Sequence, residues 1–151
     1  MPLKIRVARS SDVEVLSELA MRSKAHWGYD PAFMASCRAE LTITPDDLCV
    51  GHYWVAEKYH RIVGFGGFSL CGTIGEVEHL FVEPSHHGAG IGRALMAALQ
   101  DGARSVGVDC LTVDSDPNAL EFYQHMGFCQ IGEVPSASVA GRSLPHLKLD
   151  L

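Results

Sequence analysis

The chain has 151 residues, 47% of them hydrophobic and 20% charged, long enough to bury a core and too apolar for a disordered polymer. Its formal net charge is −6 and it has no run of Lys or Arg, which argues against nucleic acid or an acidic membrane as partner and suits an amine-bearing one. Size and composition predict a single domain over residues 1–151.

The opening Met1-Pro2-Leu3-Lys4-Ile5-Arg6 alternates charged and apolar residues, unlike a signal peptide, and no later stretch reaches membrane-spanning length. Cys37, Cys49, Cys71, Cys110 and Cys129 show neither C-x-x-C nor paired metal-ligand spacing. They are expected to be reduced, mostly buried thiols of a cytoplasmic protein.

Residues 5–8 read as a strand, after which Ser11 or Asp12 can cap a helix running to about residue 24. Val13, Leu16, Leu19 and Ala20 give that helix one apolar face. An aromatic loop over 25–31 carries His26, Trp27 and Tyr29, and a second helix covers about 32–41. The β-branched and aromatic runs at 53–57 and 62–70 flank a polar turn, the pattern of an antiparallel hairpin. Residues 75–82 form another strand. After Pro84 the period changes, and Ile91, Leu95, Ala98 and Leu99 share one face of a helix ending near Gly107. A buried strand at 108–113 then implies a right-handed crossover to a parallel neighbour. A helix at 117–125, closed by Gly127, precedes two strands near 128–134 and 144–151. The order predicts an α/β fold whose mixed sheet has a parallel pair near its middle.

The most informative segment is His87-Gly88-Ala89-Gly90-Ile91-Gly92-Arg93, with three alternating glycines between a strand and a helix start. Glycines there let backbone N–H groups face one ligand, and the helix dipole favours an anion, so a pyrophosphate-bearing cofactor is expected. A dinucleotide fingerprint would need glycine where Arg93 stands, and a Walker A loop would need Gly-Lys-Ser/Thr.

This segment resembles the acetyl-CoA signature of the GNAT superfamily, Gln/Arg-x-x-Gly-x-Gly/Ala, with His87 in place of the usual Gln or Arg. The preceding Leu80-Phe81-Val82-Glu83-Pro84 resembles the family's central strand and its exit. A second block, Ala119-Leu120-Glu121-Phe122-Tyr123 through Gly127-Phe128, is similar to the family's Ala-x-x-Phe-Tyr-x-x-x-Gly-Phe. Asp116 stands where many members carry Asn.

The resemblance implies a GNAT-type mixed central sheet with splayed parallel strands and helices on both faces. It implies acetyl-CoA as cosubstrate, held by Leu80, Phe81, Val82, His87, Gly88, Ala89, Gly90, Ile91, Gly92, Arg93, Asp116, Ala119 and Tyr123. The implied activity is N-acetyl transfer to a primary amine of a small molecule or protein. The alternative is a non-catalytic acyl-CoA-sensing module.

A lysine-like amine of pKa about 10.4 is neutral in roughly one molecule per two thousand at pH 7, so a general base is useful. Glu76 and Glu78 lie two apart on the central strand and share a face. Glu76 ranks first because its register resembles that of the family's catalytic glutamate; both glutamates could equally be solvated. Backbone N–H groups near residues 80–82 could hold the oxyanion if a bulge leaves them unpaired. Tyr123 would then donate a hydrogen bond to the departing thiolate, since full proton transfer from a phenol of pKa about 10 to a thiol near 8.5 is uphill by roughly 2 kcal/mol. His26, Trp27 and Tyr29 suit either an ammonium cage in the acceptor site or an aromatic staple between helices, and Arg142 either an acceptor carboxylate or solvent. The spacing of His79, His86 and His87 matches no known ligand set, so no metal is expected. The acceptor and the oligomeric state, a homodimer included, stay open.

Overall fold

A computed structural model of the protein describes residues 3–151, which leaves Met1-Pro2 outside the described residues. Strand β1 (Lys4–Val7) leads into helix α1 (Val13–Ala25), then α2 (Pro31–Leu41) and α3 (Pro45–Val50). The antiparallel hairpin β2 (His52–Lys58) and β3 (Arg61–Cys71) continues into β4 (Ile74–Val82). Helix α4 (Ile91–Ser105) returns the chain to β5 (Cys110–Asp114), and α5 (Leu120–His125), β6 (Cys129–Pro135) and β7 (Ser143–Asp150) complete it. The sheet order is β1-β2-β3-β4-β5-β7-β6, with β4 and β5 parallel at its centre. Helices cover both faces, so the mixed α/β architecture is the expected one. No helix among the described residues is long and apolar enough to cross a membrane.

Local chemistry explains most of these boundaries. Asp30 accepts from Phe33 N–H at 2.8 Å and Pro31 opens α2, a cap followed by proline at the first helical position. Thr44 and Asp47 form a reciprocal capping box on α3, which no periodicity predicted because its six residues are too few to show one. Of the two expected caps of α1, Asp12 stands at the N-cap position, but its side chain makes no capping hydrogen bond to the helix. The Asp12 carboxylate instead accepts from Arg9 N–H at 2.7 Å and from Arg6 Nη1 at 2.9 Å, tying a preceding 3-10 turn to β1.

The expectation of mostly buried cysteines also fails. Cys37 and Cys110 are buried, whereas Cys49 on α3, Cys71 at the end of β3 and Cys129 on edge strand β6 are exposed, and all five are free.

One face of the sheet packs Phe68, Leu111, Val113 and Leu147 against Met96, Leu99 and Ala103 of α4. The other packs Tyr53, Val55 and Phe65 against Leu16 and Leu19 of α1 and Met34 and Cys37 of α2. The two central strands part between these layers. Their ladder ends at Val77 opposite Val113, although β4 runs on to Val82. A bulge coincides with the parting, because Phe68 faces Val77 and Gly67 faces His79, so Glu78 is the extra residue.

Candidate active site

The parted strands open a cleft of about 1040 Å³ that runs from the start of α4, past β4 and α5, to the ends of α2 and α3. Its walls include Leu80, Phe81, Val82, His87, Gly88, Gly90, Ile91, Gly92, Arg93, Asp116, Ala119 and Tyr123, thus twelve of the thirteen expected cofactor residues, with Ala89 the exception.

At one end stands the glycine turn. Gly88 and Gly90 have φ of +82° and +79°, and a Cβ at either would meet no heavy atom within 4 Å. The left-handed backbone there is why glycine is used, and the open space is what a ligand can occupy. Gly90 caps α4 without any side-chain hydrogen bond, and the first α4 amide with a helical partner is Ala94, on Gly90 O at 3.1 Å. The N–H groups of Ile91, Gly92 and Arg93 thus remain available at the positive end of the helix dipole, a fit to a pyrophosphate. A Cβ on Gly92 would lie 3.0 Å from the Phe122 ring, so the two sequence motifs are in direct contact.

Tyr123 is only 5% exposed and meets Phe122 and Phe128 edge-on, each with ring centroids 5.3 Å apart. Its hydroxyl has no hydrogen-bond partner among the described residues, yet no side-chain polar atom there is both sealed from solvent and unpartnered. The hydroxyl therefore opens onto the cleft that the residue lines. Burial pushes the phenol well above its usual pKa, so it keeps its proton.

The two glutamates part company. Glu78, at the bulge, lines the cleft, and its Oε1 accepts from Ser69 Oγ at 2.6 Å. Glu76 sits in regular ladder between Ser69 and Thr112, exposed and outside the cleft lining.

His79, which the sequence raised only as a metal candidate, belongs to the cleft wall. Its Nε2–H donates to the Glu40 carbonyl at 2.8 Å, which leaves Nδ1 to accept from Tyr53 Oη at 2.7 Å. Burial lowers its pKa, so the ring is neutral with its tautomer fixed. His86 and His87 turn elsewhere, to Ser85 and to the Val82 carbonyl.

Asp116 gathers a charged cluster at the exit of β5. Its carboxylate accepts from Tyr29 Oη at 2.9 Å and from the Asn118 backbone at 2.9 Å, and pairs with Lys24 at 3.3 Å and Arg142 at 3.4 Å. Burial opposes its ionisation, but the Asn118 N–H, Lys24 and the Tyr29 hydroxyl outweigh it and hold the carboxyl below its usual pKa. Three expected site residues, Tyr29, Asp116 and Arg142, thus meet one another, although Tyr29 and Arg142 do not line the cleft. Lys24 had a signal that went unused: it extends the stripe Val13, Leu16, Ala20 by one helical turn. His26 and Trp27 lie beside the glycine turn, their rings 5.2 and 6.2 Å from that of His87.

Comparison with known proteins agrees with this geometry. Residues 48–147 match the sequence model of the acetyltransferase (GNAT) domain. A glucosamine 6-phosphate N-acetyltransferase of Trypanosoma brucei brucei is 40% identical over 137 residues, spanning 83% of this chain and 88% of that protein. The N-alpha-acetyltransferase RimI of Mycobacterium tuberculosis is 33% identical over 136 residues, 87% of this chain and 81% of its own. In fold, the PaiA N-acetyltransferase of Thermoplasma acidophilum, solved with coenzyme A, superposes with a TM-score of 0.84 over the whole of both chains at 17% identity. The chain therefore belongs to the GNAT family and is an N-acetyltransferase that takes its acetyl group from acetyl-CoA.

Proposed function

We propose that the acceptor amine enters at the end of the cleft walled by Glu40, Thr42, Asp47 and Glu78, and that Glu78 takes its proton. The carrying observation is the bulge, which puts Glu78 in the cleft wall while Glu76 stays in regular ladder outside it. Direct contact or one ordered water would bring Glu78 within reach of an ammonium proton. Beyond Val77 the β4 edge toward β5 has no strand partner, so its N–H groups are free to stabilise oxyanion charge as the amine nitrogen adds. When the C–S bond breaks, the Tyr123 hydroxyl donates a hydrogen bond to the departing sulfur and keeps its proton; CoA leaves as its thiolate, which takes up the proton that the adduct nitrogen releases. Arg93 and the first amides of α4 hold the pyrophosphate.

Charge along the cleft favours a cationic acceptor. Lys24 and Arg93 are the lysine and arginine lining it; Lys24 is paired with Asp116 and Arg93 stands at the glycine turn. The acceptor end carries carboxylates and the neutral His79. An amine flanked by further positive charge, or a polypeptide N-terminus, is stabilised there more than a phosphorylated amino sugar. Thiol release from acetyl-CoA across a panel of amines tests this. Turnover of polyamines or peptides is the expected result, and exclusive turnover of a sugar phosphate would refute it. Five free cysteines, three of them exposed, suit a reducing cytosol as its compartment.

A further inference from the structure

We infer that Trp27, backed by His26 and His87, is a lip over the pantetheine arm of acetyl-CoA and not part of an acceptor cage. The inference rests on the glycine turn being the pyrophosphate site. An ammonium cage needs ring faces turned inward around one point. Here the three rings pack on one another beside the glycine turn instead: the planes of Trp27 and His87 lie 30° apart with centroids at 6.2 Å, and His26 meets His87 edge-on at 5.2 Å and 87°. His87 is itself oriented by its Nε2–H, which donates to the Val82 carbonyl at 3.3 Å.

The backbone fixes the indole in turn. Trp27 N–H closes on Lys24 O at 3.2 Å and Gly28 N–H on Ala25 O at 3.0 Å, and Gly28, at φ +91°, ends the helical path. Trp27 is 43% exposed at the cleft rim and lines the cleft with Ser23 and Lys24. That stretch links the glycine turn, where Trp27 meets His87, to Asp116, which pairs with Lys24. Covering an exposed indole with the arm's dimethyl and amide groups removes apolar surface from water on both partners.

The other tryptophan provides an internal control. Trp54 packs on α4, where a Cβ at Gly102 would lie 2.3 Å from its ring, and it is not part of this cleft. Titration of the whole protein with CoA should therefore change the emission of Trp27 alone, and 4′-phosphopantetheine should produce the same change while adenosine 3′,5′-bisphosphate should not. Trp27→Ala should abolish the change and raise KM for acetyl-CoA about five- to tenfold, with the acceptor KM unchanged. Trp27→Phe should recover most of the affinity. Calorimetry separates the possible failures. CoA binding without an emission change, or a Trp27→Ala defect confined to the acceptor KM, overturns the lip but leaves the pyrophosphate site intact. No CoA binding by the wild type overturns both.

Discussion

Replacing Tyr123 by Phe isolates one hydroxyl. It has no protein partner among the described residues, so its loss orphans no buried group, and the edge-on contacts to Phe122 and Phe128 survive. Stability should change by less than about 0.5 kcal/mol, the ordinary range for a substitution that disturbs no packing or pairing. Catalysis should suffer far more, because in the proposed role the hydroxyl donates to sulfur that gains charge only as the C–S bond breaks. A hydrogen bond to a charged group is worth about 1.5 to 3 kcal/mol, which is roughly a 10- to 150-fold loss of rate. Rapid-quench single-turnover kinetics with acetyl-CoA should show that loss, and calorimetry should show CoA affinity within about twofold of wild type. A thioester with a more acidic leaving thiol should shrink the defect, since less help is needed. Wild-type single-turnover rates in a folded mutant would refute the assignment and make Tyr123 a packing residue.

Three further outcomes follow from the same geometry. Gly90→Ala should weaken CoA binding at least tenfold by calorimetry and cost about 1 to 2 kcal/mol of stability, because its φ of +79° strains any L side chain and the new Cβ enters the open approach. Glu78→Gln should cut kcat/KM mainly below neutral pH while Glu76→Gln leaves the pH profile unchanged; the reverse pattern would return the role to Glu76. Stability measured by urea unfolding should fall on acidification in two windows. His79 has a lowered pKa, so its contribution is complete above about 6.5 and declines as pH drops below that value, and Asp12 and Asp116, also lowered, add a second loss below about 4. His79→Asn should flatten the first window, and Asp116→Asn should reduce the second.

What the sequence made legible was what repeats along the chain. Ile91, Leu95 and Leu99 announced α4 because a buried stripe must recur every three to four residues, and the hairpin showed itself by β-branched runs around a turn. The turn proved tighter than expected, with Tyr59 and His60 alone at φ of 55° and 62°, because a two-residue connection matches the twist of its strands. The glycine turn was legible because positive φ leaves its mark on residue type. What stayed hidden was register and long-range pairing. A bulge at Glu78 depends on how β3 aligns with β4, so strand alternation alone could not separate Glu78 from Glu76. The cluster on Asp116 bonds residues as far apart as Tyr29 and Arg142, 113 positions, and no local pattern announces it.

The two departures from the family pattern share a consequence for how the cosubstrate is held. A carboxylate at position 116 facing an anionic ligand would repel it, but Lys24 and Arg142 flank that carboxylate and the Tyr29 hydroxyl and Asn118 saturate it. The local charge is therefore positive rather than negative, and Asp is tolerated where an amide is usual. At position 87, the imidazole spends its Nε2–H on the Val82 carbonyl, so that donor is not free for a phosphate oxygen. Neither side chain then supplies the contact that its counterpart in the signature would. In the proposed binding mode the grip falls to groups that cannot be substituted away: the amides of Ile91, Gly92 and Arg93 at the helix start, reached across Gly88 and Gly90. On this reading, backbone shape in the glycine turn, more than the identity of either departing side chain, is what suits this cleft to a pyrophosphate-bearing cosubstrate.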